Sequence, residues 1–138
     1  MSTAAVTSPK LAMAVPERIV AAAAELITEE APNYQYVAAR LLLFSLRKKL
    51  YHRLWEHPKF IDQIKTCIKQ GVYDKDILVQ YTESEIDRMG MWIVHERYFK
   101  FTYAGLRQVM DKYLVQDRST GDIFETPQFM YMMISATL

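Results

Sequence analysis

Apolar residues along this chain recur at three- and four-residue spacing in most segments, the period of helices with one buried face. Ile19, Val20, Ala23, Leu26 and Ile27 share one side of a segment that Pro16 opens, and they predict a helix over Pro16–Glu29. After the break at Pro32 and Asn33, the stretch YQYVAARLLLFSLRKKLYH predicts a helix from Tyr34 to about His52, with Asn33 as its N-cap. Its run Val37, Ala38, Ala39, Leu41, Leu42, Leu43, Phe44 and Leu46 leaves almost no polar face, as expected of a helix enclosed on most sides. The short turn between these two helices predicts an antiparallel pair.

Phe60, Ile61, Ile64, Cys67 and Ile68 mark a third helix, with Gly71 as its stop. Asp74 can cap a short helix through Ile77, Leu78 and Val79. Thr82 and Glu85 have capping-box spacing and open a helix to about Val94, with Ile86, Met89 and Ile93 facing inward. Thr102 caps Tyr103–Tyr113, in which Leu106, Val109 and Met110 share a side. The period then changes. YLVQDRSTGDIFE has β-branched and aromatic residues on both sides of Asp117–Gly121, which predicts one short hairpin near 114–124. Thr126 and Pro127 start a last helix carrying Phe129, Met130, Met133, Ile134 and Leu138. It meets no stop signal and is apolar nearly all round, so a covering partner is expected, with Met1 a true start and Leu138 not a true end. The fold class is therefore mainly α, with that single hairpin.

Composition narrows the chemistry. The 138 residues carry 17 basic and 16 acidic side chains, so no net field draws the chain to nucleic acid or an anionic membrane. The longest apolar run is too short to cross a bilayer. The opening MSTAAVTSPKLAMAV has one Lys and no compact apolar core, and reads as a flexible leader over residues 1–15. One cysteine, Cys67, excludes an internal disulfide, fits a reducing cytoplasm and is expected to fill the core. His52, His57 and His95 lack the spacing of a metal motif. Glu29, Glu30, Glu83, Glu85 and Asp87 lie where capping and solvation explain them, so no paired-acid catalyst is indicated. Arg40 and Arg47 fall on one side of a helix and could form a phosphate-binding stripe with Lys48 and Arg53. The structural alternative is an internal ion pair for Arg40 and a solvated helix end for the others.

Four phrases, APNYQYVAARLLLFSLRKKLY, GVYDKDILVQYTESEI, HERYFKFTYAGLRQ and KYLVQDRSTGDIFETPQFMYM, occur in an order and spacing that closely resemble the large subunit of class I ribonucleotide reductases. The resemblance runs from about Pro16 to Leu138. It implies that residues 16–57 are the last two helices of an ATP-binding cone and that 58–138 belong to the all-α N-terminal domain that precedes the catalytic barrel. It implies an enzyme that reduces ribonucleoside diphosphates in that barrel with a cysteine radical and a cysteine pair, chemistry that one thiol cannot supply. No catalytic, cofactor-binding or metal-ligating residue is thus expected in this chain.

ATP or dATP is the effector that the family implies for the complete enzyme, and Lys48 matches the lysine of the family's LRKK contact. Tyr98 stands where the family usually has Asp. The implied partners are the rest of the large subunit, carrying the barrel, and a radical-generating small subunit. The alternative is a stand-alone helical module that binds nucleotide or nucleic acid through Arg40, Arg47, Lys48 and Arg53.

Overall fold

The computed structural model describes residues 9–52 and 56–138, with side chains from Glu17 onward. Seven α-helices are described: α1 Pro9–Glu25, α2 Tyr34–Tyr51, α3 Phe60–Lys69, α4 Ile77–Gln80, α5 Glu83–Met91, α6 Tyr103–Gln108 and α7 Pro127–Thr137. A 3-10 turn, His95–Lys100, precedes α6, and a π-helical turn, Val109–Tyr113, follows it. The chain divides into two compact units, one of Met1–Trp55 with Phe99–Gln108, the other of Glu56–Tyr98 with Val109–Leu138.

In the first unit, α1 and α6 both pack on α2. Val20 and Ala23 of α1, Ala38, Ala39, Leu42, Leu43 and Leu46 of α2, and Leu106 of α6 form the core. α1 begins at Pro9, inside the stretch expected to be a flexible leader, and continues through Pro16, whose imide nitrogen cannot donate to the helix ladder. The helix also ends earlier than expected. Leu26 and Ile27 donate to Ala23 and Ala24 in i to i−3 bonds, and Thr28 Oγ1 then accepts from the Ala31 amide at 3.1 Å. That tightening turns Leu26 outward, and Ile19 is exposed as well, so only part of the expected apolar face is buried.

α2 matches its expected span, but Asn33 does not cap it through its side chain. Asn33 has helical dihedrals, and the first amides of α2 are instead satisfied by the carbonyls of Ala31, Pro32 and Asn33. His52 closes the helix in the left-handed region, donating its amide to Lys48 O. The helix is also less enclosed than its composition suggests, because Tyr34, Tyr36 and Val37 are exposed.

The second unit is built on α3, whose buried residues Phe60, Ile61, Ile64 and Cys67 meet Ile77, Ile86, Val109, Met110, Leu114 and Phe129 in one core. α3 ends in a Schellman motif. Gly71, at φ +77°, donates to Ile68 O and Val72 donates to Cys67 O, so glycine occupies the position that demands positive φ. Asp74 accepts from the Asp76 amide just ahead of α4. The capping box of α5 forms as its sequence requires, with the Thr82 hydroxyl accepting from the Glu85 amide and the Glu85 carboxylate accepting from the Thr82 amide. α5 stops at Met91, short of Val94.

α3 and α5 cross closely at Gly90. A Cβ there would sit 2.9 Å from Phe60 Cβ and 3.6 Å from its backbone nitrogen. Neither atom can swing away. Alanine gains up to about 1 kcal/mol of helix propensity over glycine, less near a helix end. Overpacking a rigid crossing costs about 1–3 kcal/mol, so Gly90→Ala is expected to be a net loss of roughly 1–2 kcal/mol in urea unfolding. A stabilised variant would show that the crossing can separate freely.

Thr102 Oγ1 accepts from the Gly105 amide and starts α6, but regular helix lasts only to Gln108. Beyond it the bonding lengthens to i−5, as in Leu114 N to Val109 O. Side chains of the next turn cover the freed carbonyls: Gln116 Nε2 donates to Met110 O at 3.0 Å, and Arg118 donates to Asp111 O and Lys112 O. The expected hairpin reduces to a single antiparallel bridge, Gln116 with Ile123, its turn closed by Gly121 at φ +78°.

α7 opens with Pro127 in its first turn. It is better covered than its sequence suggests, because Phe129 and Met130 are buried in the second unit and Tyr81 donates its hydroxyl to Ala136 O. Tyr131 and Ile134 remain on an open side.

Candidate functional site

The basic end of α2 was the expected effector contact. Its cations do not form one stripe. Arg47 is 4% exposed, with its guanidinium 5.4 Å from the Phe44 ring, and burial pulls its pKa down, offset in part by Tyr51. Arg40, expected in an internal ion pair, is exposed and lies 5.1 Å over the Phe99 ring, which in turn packs at 5.9 Å against Phe44. Two arginines seven apart on a helix point to the same side only approximately, and here the aromatic rings recruit both as cation–π partners. Lys48 is half-buried in the last turn of α2, and Arg53 lies outside the described residues.

In the second unit, a cleft of about 400 Å³ is lined by His57, Lys59, Phe60, Asp87, His95 and Phe129, among others. The Pro58 segment carries His57 to its rim, and the start of the 3-10 turn supplies His95. The two imidazoles stack with centroids 3.5 Å apart and planes 14° from parallel. Phe129 meets His95 edge-on at 6.4 Å and stacks on Phe60 at 5.8 Å, which makes the floor of the cleft aromatic. Stacked rings cannot chelate one ion, because imidazole lone pairs lie in the ring planes and here run parallel. Among the described residues no group of three or more His, Cys, Asp or Glu side chains is placed to hold a metal ion. His52, the third histidine, is the exposed cap of α2.

Cys67 is sealed in the core, where Gln63 Nε2 donates to its sulfur at 3.2 Å and to Phe124 O at 2.9 Å. Burial, with a smaller contribution from the Glu125 carboxylate, pushes the thiol up to about 12, so it is inert at neutral pH. Glu125 was not singled out from the sequence. It is 1% exposed, accepts from the Tyr73 hydroxyl and from the Val115 amide at 2.9 Å, and burial raises its pKa against those two hydrogen bonds. In the sequence it stands immediately before Thr126 and Pro127, where α7 starts. Tyr98 packs its ring 6.2 Å from Tyr131 of α7, and burial raises its pKa.

The mainly helical architecture with a bridge-sized hairpin defines a class before it defines a chemistry. Residues 99–138 match the model of the ribonucleotide reductase all-alpha domain. The ribonucleoside-diphosphate reductase 1 subunit alpha of Escherichia coli is 46% identical over 122 residues, covering 88% of this chain and 16% of that protein. The ribonucleoside-diphosphate reductase subunit alpha of Enterobacteria phage T4 is 48% identical over 120 residues, covering 87% and 16%. A more distant subunit alpha, from Treponema pallidum, is 29% identical over 128 residues, covering 87% and 14%. Together these matches show an N-terminal segment of the class I ribonucleotide reductase large-subunit family. The chain spans 16% of the length of the first two relatives. No helix among the described residues is long and apolar enough to cross a membrane.

Proposed function

We propose that this chain serves the reduction of ribonucleoside diphosphates to deoxyribonucleotides for DNA synthesis, as the helical N-terminal portion of the reductase large subunit. The observation that carries this reading is 46% identity sustained over 88% of the chain to a reductase subunit alpha. Its contribution is packing, since the one thiol is buried and protonated and the catalytic barrel belongs to the rest of the subunit. Residues 16–57 act as the partial ATP-cone pair and 58–138 as the all-α domain that meets the barrel. The further partner is a radical-generating small subunit, and the compartment is the reducing cytoplasm that a free Cys67 suits. The reading as a nucleic-acid module is not favoured, because Arg47 is buried and Arg40 is engaged with Phe99.

Purification of this chain from its native source tests the reading. A barrel-bearing reductase polypeptide should accompany it, and ribonucleotide reduction should require both. Recovery of the chain alone, with reductase activity elsewhere, would overturn it. Lys48 is the proposed effector contact. In the assembled subunit Lys48→Ala should weaken ATP or dATP binding roughly tenfold, the weight of one charge-assisted phosphate contact. Unchanged binding in calorimetry would remove Lys48 from that role.

A further inference from the structure

We propose that the stacked His57–His95 pair is a proton-operated latch on the cleft of the second unit, closed while the pair carries at most one proton and opened by the second. The argument is geometric. A neutral pair stacks, and one imidazolium over a neutral ring remains attractive, because the ring face accepts a cation. Two imidazolium rings with centroids 3.5 Å apart place like charges about one ring thickness from each other, with Nδ1 of both shut off from solvent. The second proton therefore enters only if the rings part.

Around the pair, Asp87 of α5 is the carboxylate lining the cleft and Lys59 the ammonium, so one charge that favours protonation and one that opposes it border the same space. α3 contributes Phe60 to the lining, and α7 contributes Phe129 and has no charged residue along its length. Glu56 and Glu96 are the carboxylates adjacent in sequence to the two histidines. Because His95 also meets Phe129 edge-on, parting the rings opens a wall of the cleft and unseats its floor. Histidine is the side chain whose ordinary range makes this accessible at mildly acidic pH.

The test is a titration of the full chain between pH 8.5 and 4.5, with isotope-labelled histidine and labelled methionine methyls followed by NMR. His57 and His95 should share two steps, the lower displaced by more than about one pH unit. Contacts between the two rings should vanish across the lower step, and the Met91 methyl, which also lines the cleft, should shift with it. In His57→Phe a ring remains to stack but cannot charge, so His95 should titrate once and the Met91 transition should disappear. Should that variant fail to fold, the wild-type titration decides alone. Independent single steps for the two rings, ring contacts that survive at pH 5, or a lower step that coincides with global unfolding would each overturn the latch.

Discussion

Phe129→Ala is expected to lower the unfolding free energy of the second unit by about 3–5 kcal/mol, the range for truncating a fully buried aromatic. Phe129 is 1% exposed and stacks on Phe60, so truncation removes both burial and a ring pair, and α3 and α7 are both fixed elements that cannot close on the void. The consequence reaches beyond the cavity. His95 loses its edge-on neighbour, so its ring resonances should shift together with the loss in stability. Urea unfolding followed by circular dichroism measures the first effect and histidine NMR the second. A loss below about 1 kcal/mol would mean that α7 is not held by its own unit and depends on outside cover.

Glu125→Ala is expected to cost on the order of 2–4 kcal/mol, because it strands two buried donors, the Tyr73 hydroxyl and the Val115 amide. Glu125→Gln has the same size and keeps an acceptor, so it should cost much less at pH 7. The pair of variants also isolates a pH effect. Burial is the largest influence on Glu125 and raises its native pKa above the unfolded value. Between those two values the native state binds more protons than the unfolded chain, so this residue's contribution to stability falls as pH rises through that interval and is flat above it. Subtracting the Glu125→Gln profile from the wild-type profile, measured from pH 4 to 8, should leave that downward slope. An upward difference would show that the donors Tyr73 and Val115 outweigh desolvation.

Residue patterns within a few positions of one another were legible in the chain. The Thr82–Glu85 box, the Gly71 stop, the Thr102 cap and the Pro127 start all form, because each is an interaction between a side chain or a φ preference and backbone one turn away. Cys67 as core filler was equally legible, since a small apolar residue on the inner stripe of α3 has little alternative. The errors were also local. Asn33 took helical dihedrals and lost its cap geometry, and Gln108 to Val109 changed from α to π bonding once Gln116 and Arg118 could cover the carbonyls.

What the sequence by itself determined is the helical class, most of the element starts and stops, and a family likeness carried by four phrases in order. Only the tertiary structure decided that Arg47 is buried and Arg40 laid on Phe99, that Gly90 lets α5 meet Phe60, that Tyr73 and Val115 converge on Glu125, and that His57 and His95 stack. The physical reason is range. Caps and periodicity are set by bonds spanning one helical turn, whereas most of these pairings, Arg40 with Phe99, Gly90 with Phe60, Tyr73 with Glu125 and His57 with His95, join residues far apart in the chain and exist only once packing has selected which faces meet.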